Sequence, residues 1–193
     1  MKPLFDHYYS DPHFGHAKLL STLRAPWGYD DVEQLDAVLI DRYQGAVEPD
    51  DTVLWLGDVS FYGAGEHDRV RRVLERLPGR KVLLRGNHDL RHSRRWWVSV
   101  GFDTVIDGQI HLNLGGRSVV ASHMPPLGVP HARGPDLRHP ELRPKLAPED
   151  FLIHGHTHSP RFRTDNRLHV GVDAHCLTPV PHAKILEALQ EAS

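Results

Sequence analysis

Three short apolar runs in the first half of the chain each stop at a polar cluster. LFDHYYS (4–10) runs into Asp11, DTVLWLGD (51–58) ends on Asp58, and KVLLRGN (81–87) ends on Asn87. Runs this short and this apolar read as strands buried on both faces. Between them the apolar period changes to that of a helix. Residues 31–46 place Val32, Leu35, Val38, Leu39 and Tyr43 at helical spacing. Residues 66–77 put Val70, Val73, Leu74 and Leu77 on one face before Pro78 and Gly79 stop the helix. A shorter helix is predicted over 92–100. Strand–helix alternation of this kind predicts a parallel sheet whose strands end on the same edge.

The second half has a different texture. DTVIDGQIHLNLGGRSVVASH (103–123) holds two or three strands, with Gly115-Gly116 as a hairpin turn. FLIHG, PRFRT and RLHVG add three more, with Asp165-Asn166 turning between the last two, and 181–192 reads as a closing helix. Between Met124 and Pro148 lie seven prolines, which forbid most regular structure. A loop that long within a compact domain is usually functional or disordered. The expected fold is α/β, with two packed sheets and helices outside. The 193 residues are expected to form one domain spanning 1–193.

Composition narrows the setting. No apolar run approaches the ~20 residues of a membrane span. The N-terminus meets Asp6 and Asp11 too early for a secretory signal. A single cysteine, Cys176, fits a reducing compartment, so a cytoplasmic location is expected. Net charge is only −2, but it is unevenly spread. Ten Lys or Arg fall between Asp68 and Arg95, and eight acids between Asp30 and Asp51. This is either a field that steers an anionic substrate or two solvated helix faces of opposite sign.

The sixteen histidines are the anomaly. They form no tag-like run, and several stand at strand ends. The first strand delivers SDPHFGH, with Asp11 and His13. The second delivers Asp58, and the third Asn87, His88 and Asp89. Later strands deliver His123, then His156 and His158 within LIHGHTHS. In a regular strand His154, His156 and His158 would share one face, but Gly155 among them marks a place where the backbone leaves the ladder. Asp11, His13, Asp58, Asn87, His123, His156 and His158 form a thiolate-free N/O set, suited to Mn, Fe, Co, Ni or Zn. Seven side chains are too many for one ion, and two ions sharing a carboxylate would use them all. A pair of metals is a familiar clamp for phosphoryl chemistry.

In that order, D-x-H, G-D, G-N-H-D, a lone His and G-H-x-H resemble the calcineurin-like metallophosphoesterase superfamily, over residues 10 to about 173. SDPHFGH most resembles its compact stand-alone prokaryotic members. The resemblance implies a four-layer α/β/β/α sandwich of two mixed sheets and a centre of two divalent ions, manganese favoured. Asp11, His13, Asp58 and His158 would hold the first ion. Asp58, Asn87, His123 and His156 would hold the second, with Asp58 bridging. His154 would be no ligand. The implied reaction is hydrolysis of a phosphate ester by a metal-activated water attacking in line, without a covalent intermediate. His88 would face the scissile phosphate, as proton donor or charge stabiliser, and Asp89 is expected to hold its imidazole.

Other residues stay open between roles. His16 reaches substrate or packs a helix start. His175 is near the site or structural. Arg133, Arg138, Arg143 and Lys145 cap the substrate or decorate a surface loop, with Arg133 the expected substrate contact beside His16. RHSRRWW (91–97) touches a nucleotide or buries a Trp in an amphipathic helix. Among substrates, a phosphodiester of a nucleotide or nucleic-acid end is favoured over a phosphomonoester or a phosphoprotein. A catalytically inactive metal scaffold would show a broken ligand set or a replaced His88, and neither occurs here. The composition gives no sign of a membrane partner.

Overall fold

The computed structural model describes residues 2–63, 65–131 and 134–191. In chain order the elements are β1 (His7–Tyr9), α1 (Ala17–Leu20), α2 (Val32–Gln44), β2 (Thr52–Trp55), α3 (Glu66–Arg76), β3 (Arg80–Leu84), α4 (Arg94–Ser99) and β4 (Thr104–Ile106). There follow β5 (Gln109–Leu114), β6 (Arg117–Ser122), β7 (Pro130–His131), β8 (Gly134–Pro135), β9 (Phe151–His154), β10 (Arg163–Thr164), β11 (Arg167–His169), β12 (Val180–Pro181) and α5 (His182–Gln190). Two five-stranded mixed sheets result, ordered β12-β1-β2-β3-β4 and β10-β11-β9-β6-β5. In the first, β1 to β4 run parallel and β12 antiparallel; in the second, β11, β9 and β6 run parallel between antiparallel edges. This is the expected α/β sandwich of two mixed sheets with helices.

Two cores follow from strand alternation. Tyr9, Trp55 and Leu83 point from the first sheet toward Leu35, Leu39 and Tyr43 of α2 and Val70, Val73 and Leu74 of α3. Their neighbours Tyr8, Leu54, Val82 and Leu84 point the other way, to Val119, Ala121, Ile153 and Leu168 of the second sheet. Ile185, Ala188 and Leu189 of α5 join this inner core. Each fully buried side chain of this kind contributes about 1.5–3 kcal/mol. Local signals start the helices. Asp31 caps α2 by accepting the Gln34 amide at 2.8 Å, and Glu66 and Asp68 favour the positive end of α3.

Four short elements, α1, β7, β8 and β12, fall outside the sequence expectations. The α1 helix has four residues, too few to display a period. The β12 strand has two, and pairs only with β1 at the sheet edge, where Pro181 is tolerated. The Pro-rich segment folds into the β7–β8 hairpin and a 3-10 turn at Pro140–Leu142. Arg143 ties it together by donating to the Pro125 carbonyl at 2.9 Å and pairing with Asp136 at 3.0 Å.

The β9 strand stops at His154, and Gly155 starts the turn. A Cβ at Gly155 would overlap the Ser10 side chain and the Asp11 carboxylate, so glycine here permits close approach of the two sheets. Gly155→Ala should therefore cost about 1–3 kcal/mol. A urea titration checks this, through a lower midpoint at unchanged slope.

Candidate metal centre

Parallel strands bring the polar clusters to one edge. Asp11 and His13 follow β1, Asp58 follows β2, and Asn87 and His88 follow β3. From the second sheet, His123 follows β6, and His156 and His158 follow β9. The backbone there is unusual. Among the described residues, nine non-glycine residues have positive φ, and Asp11, His13, Asp58, His156 and His158 are five of them, at 51–68°. Left-handed backbone at Asp or His is sparsely populated and persists where the surroundings over-determine it. Here it turns each chain sharply at a strand end and aims the side chain inward. Two hydrogen bonds fix the sheets to each other at this edge. Asp11 accepts the His156 amide at 2.9 Å, and His123 Nδ1 donates to the Leu56 carbonyl at 2.6 Å.

Two groups of donors result. One ligand atom from each of Asp11, His13 and His158 lies within 4.8 Å of the others, as does one from each of Asp58, His123 and His156. The Asp58 carboxylate stands between the groups: its Oδ2 is 3.6 Å from His13 Nε2 and 3.4 Å from His123 Nε2. Asn87 Oδ1 lies 3.1 Å from His123 Nε2. Burial works to raise the Asp58 pKa, but His123, His13 and His88 together hold it well below the usual carboxylate range. Burial likewise opposes protonation of His123, yet the Asp58 charge lifts its pKa to about 9. His13 shows the need most plainly. Both its ring nitrogens are buried without a hydrogen-bond partner, and burial drives its pKa well down. An unmet buried group costs about 1–3 kcal/mol. A divalent cation accepting the lone pair of this neutral imidazole would satisfy one of the two nitrogens, so the residues present fit metal.

Side chains behind these donors set which nitrogen faces the centre. With Nδ1–H given to Leu56, His123 turns Nε2 inward. His158 gives Nδ1–H to Asp173 at 2.7 Å, which does the same. Asp173 in turn binds Arg24, whose Nε is 3.0 Å away and whose other nitrogens donate to the Asp11 and Pro12 carbonyls. Arg24 is fully buried. His156 Nε2 meets Asp136 at 2.5 Å, leaving Nδ1 for the centre. Arg24, Asp136 and Asp173 are absent from the sequence reading. The unbroken ARGPD and GVDAH contexts carry no distance information, and only the acids' proximity to histidines in space singles them out.

The cavity over the centre has a volume of about 580 Å³. His13, Asp58, Asn87, His156 and His158 line it, and so do His16 and His88. Sequence reasoning missed His131, from β7, and Phe61 on the same walls. One expectation is corrected: Asp89 does not hold the His88 ring. Its carboxylate is fully buried and accepts the backbone amides of Gly86, Asp58 and Val59 at 2.7–3.0 Å. Those three bonds lock the second and third strand ends together. Burial, then Asp58, pushes the Asp89 carboxyl up to about 7. Arg133 lies outside the described residues. Arg138 lines the cavity, whereas Arg143 is buried as a clamp on Asp136, and Lys145 is not on the walls. Trp97 is buried and donates Nε1–H to the Asp89 carbonyl, so RHSRRWW braces the loop from behind. His154 lies outside both donor groups, its Nδ1 on the Gly155 carbonyl, and His175 gives Nε2–H to the His169 carbonyl.

Removing Arg24 tests this scaffolding. Arg24→Met leaves the Asp173 charge buried without its cation and should cost about 3–5 kcal/mol, read by denaturant unfolding. The double variant Arg24→Met/Asp173→Leu should regain much of that stability. It should still bind metal roughly 10–100-fold more weakly, because His158 has lost its acceptor.

The comparisons with known proteins agree with this geometry. The family model for calcineurin-like phosphoesterases matches residues 8–160. The Gene 66 protein of Mycobacterium phage L5 is 33% identical over 182 residues, covering 86% of this chain and 84% of the phage protein. That of Mycobacterium phage D29 is 33% identical over 192 residues, covering 91% and 92%. A crystal structure of a protein of unknown function from Aquifex aeolicus superposes with a TM-score of 0.70 at 22% identity, over 94% of this chain and 97% of that one, and so shares its fold. No helix among the described residues is long and apolar enough to cross a membrane. The strand-end signatures, the paired donor groups and the match over residues 8–160 together make this chain a member of the calcineurin-like phosphoesterase family.

Proposed function

We propose that the protein hydrolyses phosphodiesters, nucleotides or nucleic-acid ends among them, at a centre of two divalent ions, with manganese the favoured metal. The observation that carries this is the pair of donor groups at the cavity floor, both built on left-handed strand ends. Asp11, His13, Asp58 and His158 hold one ion in this reading, and Asp58, Asn87, His123 and His156 the other. Divalent ions in such a site supply an activated water as nucleophile and neutralise charge on the phosphoryl oxygens.

The chain's own residues do the rest. Asp58 spans the two groups, so it fixes their relation. His88 stands at the same carboxylate, its Nε2 3.8 Å from Asp58 Oδ2, with its backbone amide donating to Asp58 Oδ1 at 3.0 Å. It is 40% exposed at the side chain and lines the cavity, where it can give a proton to the leaving oxygen or stabilise phosphoryl charge. Beyond the donors, Leu19, Leu23 and Phe61 add apolar wall, and Lys18 and Arg138 add positive charge. That combination offers apolar contact to an organic group of an ester and positive charge to its phosphate. The exposed free Cys176 accords with a reducing, cytoplasmic setting.

The direct test is a turnover screen with Mn²⁺ on a monoester, a diester, 2′,3′- and 3′,5′-cyclic nucleotides and short RNA. Diester turnover lost on chelation and restored by metal is expected; full turnover from protein shown by elemental analysis to be metal-free defeats the reading. Asp58→Ala should weaken both ions together, whereas His158→Ala should mainly affect the first and His123→Ala the second. Metal content per chain at fixed free metal measures this.

Metal affinity should also rise with pH. Without metal, His123 carries its proton up to about pH 9, on the nitrogen that would meet the ion. Binding must expel that proton, so affinity increases up to that pH and levels off above it. Competition titrations across the range, with proton release measured in two buffers, give the slope.

A further inference from the structure

Three imidazoles line the cavity outside the two donor groups: His16, His88 and His131. His131 rests against His156 and His158, with ring centroids 5.3 and 5.8 Å apart. His16 and His88 each lie against the His13 ring, with centroids 5.3 and 5.6 Å away. Among the described residues the His88 ring has no hydrogen-bond partner, the Asp58 carboxylate being 3.8 Å away, and His16 Nδ1 is buried without one. With Asp89 committed to backbone amides, something else must keep the His88 ring from turning into solvent.

Phe61 is in place to do so. Its ring meets the His88 ring edge to face, with centroids 5.3 Å apart and planes at 83°. The same ring stacks on His16 at 4.3 Å and 17°. The Arg91 guanidinium lies 5.1 Å from its centroid, a cation–π arrangement. Arg91 is itself fixed, donating to the Ser60 carbonyl and to Glu66, and Glu66 also accepts from Ser60 Oγ at 3.0 Å. The Phe61 amide donates to the Phe14 carbonyl at 2.7 Å, beside a bridge between Phe14 and Ser60. An aromatic ring with this much fixation is nonetheless 39% exposed. Core packing does not account for a phenyl ring left in water at the rim of a polar site. An aromatic partner at such a centroid distance favours one rotamer of an exposed imidazole by up to roughly tenfold.

We propose that Phe61 is the positioning residue for His88: braced by Arg91 and His16, its ring holds the His88 imidazole toward the phosphoryl site. This rests on the reading of His88 given above. The Asp58-Val-Ser-Phe61 order explains how one loop serves both ends, since Asp58 fixes the His88 backbone and Phe61 its ring. The His13 ring, 5.6 Å from His88 at 70°, closes the third side.

A double-mutant cycle tests it, with an alkyl and an aryl diester as substrates. Phe61→Ala should lower kcat on the alkyl diester by up to roughly tenfold, with less effect on the activated aryl diester. Metal content should be retained, and any rise in KM from the lost apolar wall should be alike for both substrates. In a His88→Ala background the same substitution should cost nothing further. Phe61→Tyr keeps the ring and should restore the rate, whereas Phe61→Leu should behave like alanine. Additive losses, a KM effect confined to the aryl substrate, or wild-type behaviour of Phe61→Leu would overturn the proposal. An activity-free readout accompanies the cycle. In metal-free protein, the His88 ring protons should give one dispersed set of NMR signals that collapses toward averaged shifts in Phe61→Ala. An unchanged His88 ring spectrum in Phe61→Ala refutes the positioning role. If the wild type turns over no ester at all, the proposed function fails, and the spectrum still decides the role of Phe61.

Discussion

The carboxylate of Asp58 lies buried where the two sheets meet, with ring nitrogens of His13, His123 and His88 within 3.4–3.8 Å. A charge so placed is costly unless it is matched, and most of the surrounding structure follows from matching it. His123 stays protonated beside it to unusually high pH. The His88 amide donates to it, which draws the third strand end against the second. Asp89 completes that join by accepting the Asp58 and Val59 amides. The left-handed backbone at Asp58 is the cost of turning a parallel strand sharply enough to present the carboxylate there.

A second layer of contacts converts histidines into donors of defined orientation. An imidazole presents one lone pair, and which one depends on what the other nitrogen holds. Here a main-chain carbonyl decides for His123, Asp173 for His158 and Asp136 for His156. These partners come from unrelated parts of the chain: the end of β2, the turn after β11 and the Pro-rich segment. The last is the most informative. Asp136 is held by Arg138 and Arg143 and touches His156, so the Pro-rich segment is fastened to the centre it covers. Its hairpin also brings His131 to the cavity wall. Seven prolines exclude long helices and strands from this segment, yet a pinned stretch of cavity wall needs neither.

How far local sequence reaches is clear from the helices and strands. The Val70, Val73, Leu74 and Leu77 stripe and the Pro78-Gly79 stop place α3 to within one residue of its observed end. The Gly115-Gly116 hairpin joins β5 and β6 as its turn chemistry requires. The four-residue α1 and the two-residue β12 were illegible, because elements that short express no period and exist only through their neighbours.

The same division runs through the site. Sequence by itself determined the donor types, their order and their placement after apolar strands, because parallel strands bring their carboxyl ends to one edge whatever the loops do. It also set Gly155 apart as a break in an apparent strand, although the close approach of Ser10 that leaves no room for a Cβ is a tertiary fact. Only the tertiary structure decided what Asp89 does. Next to His88 in sequence, it turns inward to three backbone amides, because a buried carboxylate takes the donors its surroundings offer and not those of its neighbour in the chain. Arg24 with Asp173, Asp136 with His156 and Phe61 with His88 are likewise contacts across long or irregular connections. No periodicity encodes such pairs; they arise where packed layers leave a polar atom or a ring edge that one particular side chain can meet.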